Sequence, residues 1–340
     1  MHLLARSPRS PFSSHAAVRL ALLALAIQAG LPAAARAYSD VVFFGDSLTD
    51  TGNTCAGVAS AGGGFAPGRC SNGAVWADYF VEGLGFGSEA TSSASGGSNY
   101  ANGGSRTPDL AAQIDAYLAA TGGTPDPDAL HVVWLGGNDI LFDVILPGVP
   151  AADMQEAAAR IGVGIDALVA GGAQHFLVAN APDVGRVYGN PLLNPPFAEG
   201  SAAFDEADRA ALSALSLEFN AALDEVLAGI SGVSLLQIDV TASFDAIIDD
   251  PVAFGFSAGA VDATSQSRAF PVACLVDPVC AADPQGPVAE GFLIFDSVHP
   301  TTALHRLIAD AALAGVVPEP STALLLGVGL TTALGLTRRR

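Results

Sequence analysis

Short apolar runs alternate along this chain with stretches of helical periodicity. The runs are VVFF at 41–44, VVWL at 132–135, FLVA at 176–179 and LLQI at 235–238. That alternation predicts a mainly parallel sheet with helices on both faces. FLIF at 292–295 is a candidate fifth strand. The clearest helical stretch covers 205–230. There Leu212, Leu215, Phe219, Leu223, Val226, Leu227 and Ile230 recur at three- and four-residue steps and form one core stripe. Asp205, Glu206 and Asp208 suit its positive amino end. Segments 153–169 and 302–313 read as shorter helices. Two irregular segments, 56–71 and 255–289, are rich in turn residues, and long loops of that kind often carry function.

The two ends read differently from the middle. Arg6, Arg9 and Arg19 lead into a short apolar run at 20–31, and Ala35-Arg36-Ala37 fits the small-x-small rule for signal cleavage. A signal peptide at 1–37 is therefore expected, with the mature chain starting near Tyr38. At the other end, Pro318-Glu319-Pro320 precedes an apolar stretch at 323–336, and Arg338, Arg339 and Arg340 follow. A stretch of this length falls slightly short of the ~20 residues that span a bilayer comfortably. As a plain tail anchor it would keep the arginines cytoplasmic. Its three-part pattern also resembles the PEP-CTERM sorting signal of Gram-negative bacteria. That resemblance implies a sorting segment at 318–340 with a transmembrane stretch, transient membrane anchoring, and removal by an exosortase. The implied destination lies beyond the inner membrane: periplasmic, cell-surface or extracellular, with a possible exopolysaccharide association.

Between these ends, 38–317 is long enough for one large α/β domain. It holds 33 acidic against 7 basic residues, a formal charge of −26, and every basic residue is Arg. Such a surface repels phosphate backbones, which argues against nucleic-acid binding. Four cysteines, Cys55, Cys70, Cys274 and Cys280, favour disulfides in an exported chain, and three pairings are possible. The local pairing, Cys55 with Cys70 and Cys274 with Cys280, is preferred because each pair brackets one loop-like segment. Neither pair carries zinc-ligand spacing. No His, Cys and carboxylate cluster has metal spacing and no phosphate-binding loop is present, so neither metal nor cofactor is expected.

In a parallel sheet, reactive groups gather beyond the carboxyl ends of the strands. Three apolar runs end in small, polar, acidic clusters: Gly45-Asp46-Ser47-Leu48, Gly136-Gly137-Asn138-Asp139 and Asp296-Ser297-Val298-His299-Pro300. A glycine-rich turn, Asn99 through Ser105, lies between the first two. Singly, each has a plain explanation as a helix cap or a turn. Together, in this order, they resemble the SGNH, or GDSL-type, hydrolase family from Val41 to about His305. The resemblance implies a three-layer α/β/α sandwich with a mainly parallel, flavodoxin-like sheet. It implies Ser47 as nucleophile, and Asp296 and His299 from the Asp-x-x-His block. The oxyanion hole would use Ser47, Gly104 (with Gly103 as the alternative register) and Asn138.

The chemistry is coherent with those roles. A serine hydroxyl needs a nearby base, which His299 would supply, and Asp296 would fix the imidazole tautomer. Backbone N–H groups of Ser47 and Gly104, with the Asn138 amide, would face the developing oxyanion. A helix starting just after Ser47 is expected to add its positive dipole end. His131 and His175 read as edge or packing residues, His305 as part of the following helix, and Asp46 and Asp139 as local hydrogen-bond anchors. The resulting expectation is a secreted carboxylic ester hydrolase working through an acyl-enzyme. Its substrate would be a lipid, a short-chain ester or an acylated glycan. Alternatives are acyl transfer at the same site, or a non-catalytic glycan-binding protein on the same fold.

Overall fold

The computed structural model describes residues 37–60, 63–145, 153–187, 206–259, 261–262, 270–271, 273–296 and 298–316. The chain divides into two units, Met1–Ala37 and Tyr38–Arg340, and the account below concerns the second. The expected signal peptide (Ala37 apart) and the sorting segment 318–340 lie outside the described residues, as does Asp205. Among the described residues no helix is long and apolar enough to cross a membrane.

Four parallel strands lie side by side in chain order: β1 (Val41–Gly45), β2 (Leu130–Trp134), β3 (His175–Ala179) and β4 (Ser234–Ile238). Phe43 pairs with Val132, Val132 with Leu177, and Leu177 with Leu236. Every residue of β1 and β2 is buried, as expected for strands covered on both faces. The free edge of β1 is closed by 98–102. Phe43 N–H donates to Ser98 O (3.0 Å), Tyr100 N–H to Phe43 O (2.8 Å) and Asn102 N–H to Gly45 O (3.1 Å). This short segment gives the sheet its flavodoxin-like order. The chain steps one way from β1 to 98–102 and the other way to β2, so a crevice opens at their carboxyl ends.

Strand alternation separates the two helical layers. Phe43 meets Trp76 and Phe80 of α2 (Trp76–Gly83), while its neighbour Phe44 meets Tyr117 of α3 (Leu110–Ala120) on the other face. Beside α3 lie α5 (Met154–Gly171) and α7 (Glu206–Gly229). Gly164 of α5 approaches Leu110 and Ile114, and Gly162 approaches Val226. Beside α2 lies α10 (Thr302–Val316), where Leu313 fills the space over Gly83. The periodic stripe of α7 turns inward as its spacing predicts: Leu212, Phe219, Leu223 and Leu227 are buried. Asp153 caps α5 by accepting from the N–H groups of Gln155 and Glu156.

The remaining named elements are short. They are α1 (Cys55–Ser60), α4 (Gly137–Ile145), α6 (Val184–Val187), α8 (Val240–Asp249) and α9 (Pro278–Ala282), with an antiparallel pair, β5 (Val261–Asp262) and β6 (Phe270–Pro271). Segment 292–295 is not a fifth strand. Ile294 forms only isolated bridges, one with Ala273 and one with Pro300. The chain reverses at Asp296, so that Phe295 N–H donates to His299 O (2.7 Å) and Thr301 N–H to Leu293 O (2.9 Å). That reversal removes 292–295 from the main sheet and makes it one arm of a tight loop.

Gly136, two residues beyond the end of β2 at Trp134, has φ +118°, and a Cβ there would stand 2.4 Å from the Phe219 ring. Overpacking of this kind costs about 1–3 kcal/mol and backbone strain a similar amount. Gly136→Ala should therefore lower stability in urea unfolding by about 3 kcal/mol. A loss under about 1 kcal/mol would mean that α7 yields easily at this contact.

Candidate active site

Ser47 sits in the turn that ends β1. The Asp46 carbonyl accepts from Thr49 N–H (3.1 Å) and Asp50 N–H (2.9 Å), which makes one helical turn. The turn goes no further, contrary to the expected helix after Ser47. The Asp50 carboxylate captures the amides that would continue it: Oδ1 accepts from Gly52 and Asn53, and Oδ2 from Thr54 and Cys55. Helix resumes only at Cys55 in α1, so the expected dipole of a helix following Ser47 is missing.

The structure brings Ser47, His299 and Asp296 into one hydrogen-bonded series. His299 Nδ1 lies 2.7 Å from Asp296 Oδ2, and Nε2 lies 2.9 Å from Ser47 Oγ. A carboxylate only accepts, so Nδ1 carries the proton; in the neutral ring Nε2 then accepts from the serine hydroxyl. Asp296 Oδ1 accepts from the N–H groups of Val298 (2.8 Å) and His299 (2.7 Å), which locks the tight loop.

Asn138 stands at the start of α4, and its Nδ2 donates one N–H to Ser105 O (2.9 Å). Its second N–H is left for another acceptor. Gly104 has φ +80°, a conformation glycine adopts without strain. Among the described residues the backbone N–H groups of Ser47 and Gly104 have no protein acceptor, whereas Gly103 N–H donates to Asp50 Oδ2 (2.9 Å). This difference favours the Gly104 register over Gly103. A narrow cleft of about 30 Å³ is lined by Asp46, Ser47, Leu48, Gly137, Asn138, Leu141, Val298 and His299. Gly104 does not line it; its neighbour Ser105 accepts a hydrogen bond from Asn138, which does. Larger hollows lie elsewhere, one of about 380 Å³ beside Tyr79 and Arg306. Geometry, not size, marks the site.

Other residues support these. Gln113, on α3, clamps the last peptide of β1: its Oε1 accepts from Gly45 N–H (2.9 Å) and its Nε2 donates to Gly45 O (2.8 Å) and Ser105 Oγ (3.1 Å). Asn99 donates to Thr49 O (2.7 Å), and Asn53 to Asn99 O (2.9 Å) and Ala101 O (2.8 Å). Sequence reading assigned none of these roles. Asp50 and Asn53 carried a signal, an Asx-rich cluster just after the serine, while Gln113 carried none. Asp139 anchors Thr107 through its N–H (2.9 Å) and Oγ1 (2.8 Å).

The electrostatics follow from burial and partners. Burial alone would depress the His299 imidazole, but the Asp296 charge and hydrogen bond, with Asp46 behind them, hold its pKa above the ordinary histidine value. Burial would raise Asp296; the His299 charge and bond and the two amides outweigh it and hold the carboxyl low. Burial pushes Asp46 up to about 7, against the N–H of Leu48. His131 lies buried in β2 beside Tyr117 Oη (3.1 Å) and is pushed down to about 4 by burial. His175 packs edge-on to Tyr38, and His305 is buried in α10. The disulfides join Cys55 to Cys70 and Cys274 to Cys280. Among the described residues no group of three or more His, Cys, Asp or Glu side chains gathers as metal ligands.

A hydroxyl, imidazole and carboxylate in series beyond the carboxyl edge of a parallel sheet define a site of the Ser-His-Asp class. The family model for GDSL-like Lipase/Acylhydrolase matches residues 41–312, and the chain belongs to that family. It is 32% identical to Lipase 1 of Photorhabdus luminescens over 174 residues, 48% of this chain and 25% of the lipase. The chain thus spans about a quarter of that relative's length. It is 27% identical to the phosphatidylcholine-sterol acyltransferase of Aeromonas hydrophila, over 86% of this chain and 94% of the acyltransferase. An acetylxylan esterase structure from Geobacillus stearothermophilus covers 84% of this chain and 98% of its own, with a TM-score of 0.46 and 16% identity.

Asp46 gives a sign-determined test. Its folded pKa is raised from 3.8 to about 7, so the stability it contributes is present below the lower value and is lost as pH rises through the upper. Asp46→Asn keeps the acceptor for Leu48 N–H and cannot ionise. Across that interval wild-type stability should therefore fall relative to the variant, then level off. Parallel pH–stability curves from urea unfolding would remove the burial argument.

Proposed function

We propose that this protein is a serine carboxylic ester hydrolase that works through an acyl-enzyme. The observation that carries the reading is the unbroken Ser47–His299–Asp296 series. In it, His299 takes the Ser47 proton as Oγ attacks the substrate carbonyl. Asp296 holds the ring and offsets its new positive charge. The Ser47 N–H and the free N–H of Asn138 receive the developing oxyanion, with Gly104 N–H beside them. The imidazolium returns its proton to the leaving alcohol, and water, activated by the same nitrogen, then releases the acid.

Lipid, short-chain and acylated-glycan esters are the substrate classes we consider. Lipase, acyltransferase and family descriptions among the matched proteins support acyl-ester chemistry in general. A second reading, transfer of the acyl group to an alcohol in place of water, is favoured by one observation. A relative matched over nearly its whole length is named an acyltransferase. We also propose the organisation read from the sequence: an export signal at 1–37, the hydrolase domain at 38–317, and a sorting tail at 318–340 handled by an exosortase. Export would suit the two disulfides.

A fluorophosphonate probe should label wild-type protein at Ser47 and leave Ser47→Ala unlabelled. Folded wild-type protein that resists the probe would favour a binding protein on this fold. In a screen of p-nitrophenyl esters, phospholipids and acetylated polysaccharides, Asn138→Ala should lower kcat by roughly 10²–10³. Unchanged turnover in that variant would take Asn138 out of the oxyanion site.

A further inference from the structure

Phe65 belongs to the loop closed by Cys55 and Cys70, and nothing in the Ser-His-Asp chemistry requires it. Its ring stands edge-on to Phe295 (centroids 4.9 Å apart, 88° between planes) and to His299 (6.4 Å, 80°). Half-buried, it packs on a small apolar cluster of Cys274, Cys280, Ala289 and Phe295, separate from the main core. The loop and its continuation are docked on the histidine side of the molecule. Gln285 Nε2 donates to Gly64 O (3.1 Å), Asn72 Nδ2 to Pro284 O (2.9 Å) and Ser71 Oγ to Pro300 O (2.8 Å). Asn72 Oδ1 also accepts from Thr302 N–H (2.8 Å), where α10 begins. At the loop's exit the Arg69 guanidinium grips Asp78 of α2 (2.7 and 3.1 Å).

We propose that Phe65 is a positioning residue for His299, carried to the imidazole by the disulfide-closed 55–70 loop. This inference rests on the reading of Ser47 and His299 as nucleophile and base. Asp296 holds the ring at Nδ1, while among the described residues its one partner at Nε2 is the Ser47 hydroxyl. Once Ser47 Oγ is acylated, it no longer has a proton to donate. Asp296 is then the ring's remaining hydrogen-bond anchor, and an aromatic wall limits its swing. Among the described residues the titratable groups around the imidazole are Asp296 on its own loop, Asp46 on the turn after β1, and His305 further along α10. Phe65 adds no charge, so its removal alters packing and water access without altering the charge set. Edge-on aromatic contacts of this kind correspond to about a two- to tenfold effect.

The test compares wild type with Phe65→Ala and Phe65→Tyr. Two readouts are used: kcat and KM on a p-nitrophenyl ester, and solvent exchange of the His299 Nδ1 proton by NMR. Phe65→Ala should lower kcat about two- to tenfold with KM nearly unchanged, and should speed exchange of that proton. Phe65→Tyr, which keeps the ring, should restore both. A Phe65→Ala protein with wild-type kcat and wild-type exchange would overturn the proposal, as would a loss of kcat that only tracks the folded fraction in urea. The exchange measurement needs no turnover. Wild-type protein without esterase activity would sink the hydrolase reading, while exchange would still decide whether Phe65 holds the ring.

Discussion

The buried Asp50 carboxylate accepts five backbone N–H groups, from Gly52, Asn53, Thr54, Cys55 and Gly103, and the geometry of the site depends on it. A carboxylate offers acceptor sites on both oxygens and no donor, so it can satisfy a ring of converging amides that no neutral side chain could. Those amides are unavailable to a helical ladder. The turn begun by the Asp46 carbonyl therefore ends at once, and Ser47 stays on an isolated turn at the sheet edge. The same group fixes the Cys55 amide, where the disulfide-closed loop departs. By taking the Gly103 N–H it also draws the glycine turn in, with Gly104 next in line. The turn of Ser47, the loop that carries Phe65 and the Gly103–Gly104 turn share this one anchor.

The histidine comes from a different scaffold. Ser47 and Asn138 follow strands of the main sheet, but His299 follows a reversal outside it, 252 residues from its serine. Among its described residues, few ladder hydrogen bonds hold that region. The Ile294–Pro300 bridge, the Ser71 and Asn72 contacts and two disulfides replace them. A closure of 15 residues such as Cys55–Cys70 corresponds to about 3 kcal/mol in the chain-entropy account. Covalent closure thus stiffens the side of the site that the sheet does not reach. The Phe65 contact with His299 falls on the seam between the two scaffolds.

The parts of this arrangement that local pattern encodes were legible in the sequence. All four main-sheet runs lie in strands to within a residue or two, because β-type apolar runs and helical stripes are read over short windows. β2 starts earlier than its apolar run, at Leu130, since buried His131 pairs with Tyr117 and fits the core despite its polarity. What failed was set mostly by contacts distant in sequence. The helix expected after Ser47 is the local exception: it is stopped by Asp50, which takes the amides of the next residues, and only its bond to Gly103 spans 53 residues. Segment 292–295 has strand composition, yet the reversal at Asp296 pairs it with its own continuation. Gln113 clamps Gly45 across 68 residues and looks like any polar residue on a helix. The Gly-Asp-Ser, Gly-x-Asn-Asp and Asp-x-x-His clusters were visible because each is local; their convergence was an inference from topology.

Three buried or half-buried carboxylates surround the reacting groups, and hydrogen-bond donors grade their behaviour. Asp296 takes three N–H groups, two from the backbone and one from the imidazole, and is held low despite burial. Asp139 takes two donors from Thr107 and is raised by burial. Asp46 takes one side-chain bond, from Leu48 N–H, and burial carries it to about 7. The charge needed beside the imidazole therefore resides on the carboxylate with the most donors. Asp46 is coupled to the same ring: an imidazolium favours its ionised form, and its ionised form favours the imidazolium. In the proposed reaction the proton taken from Ser47 creates that imidazolium. The second carboxylate then adds to its stabilisation when His299 becomes charged, without competing for the hydrogen bond that orients the ring.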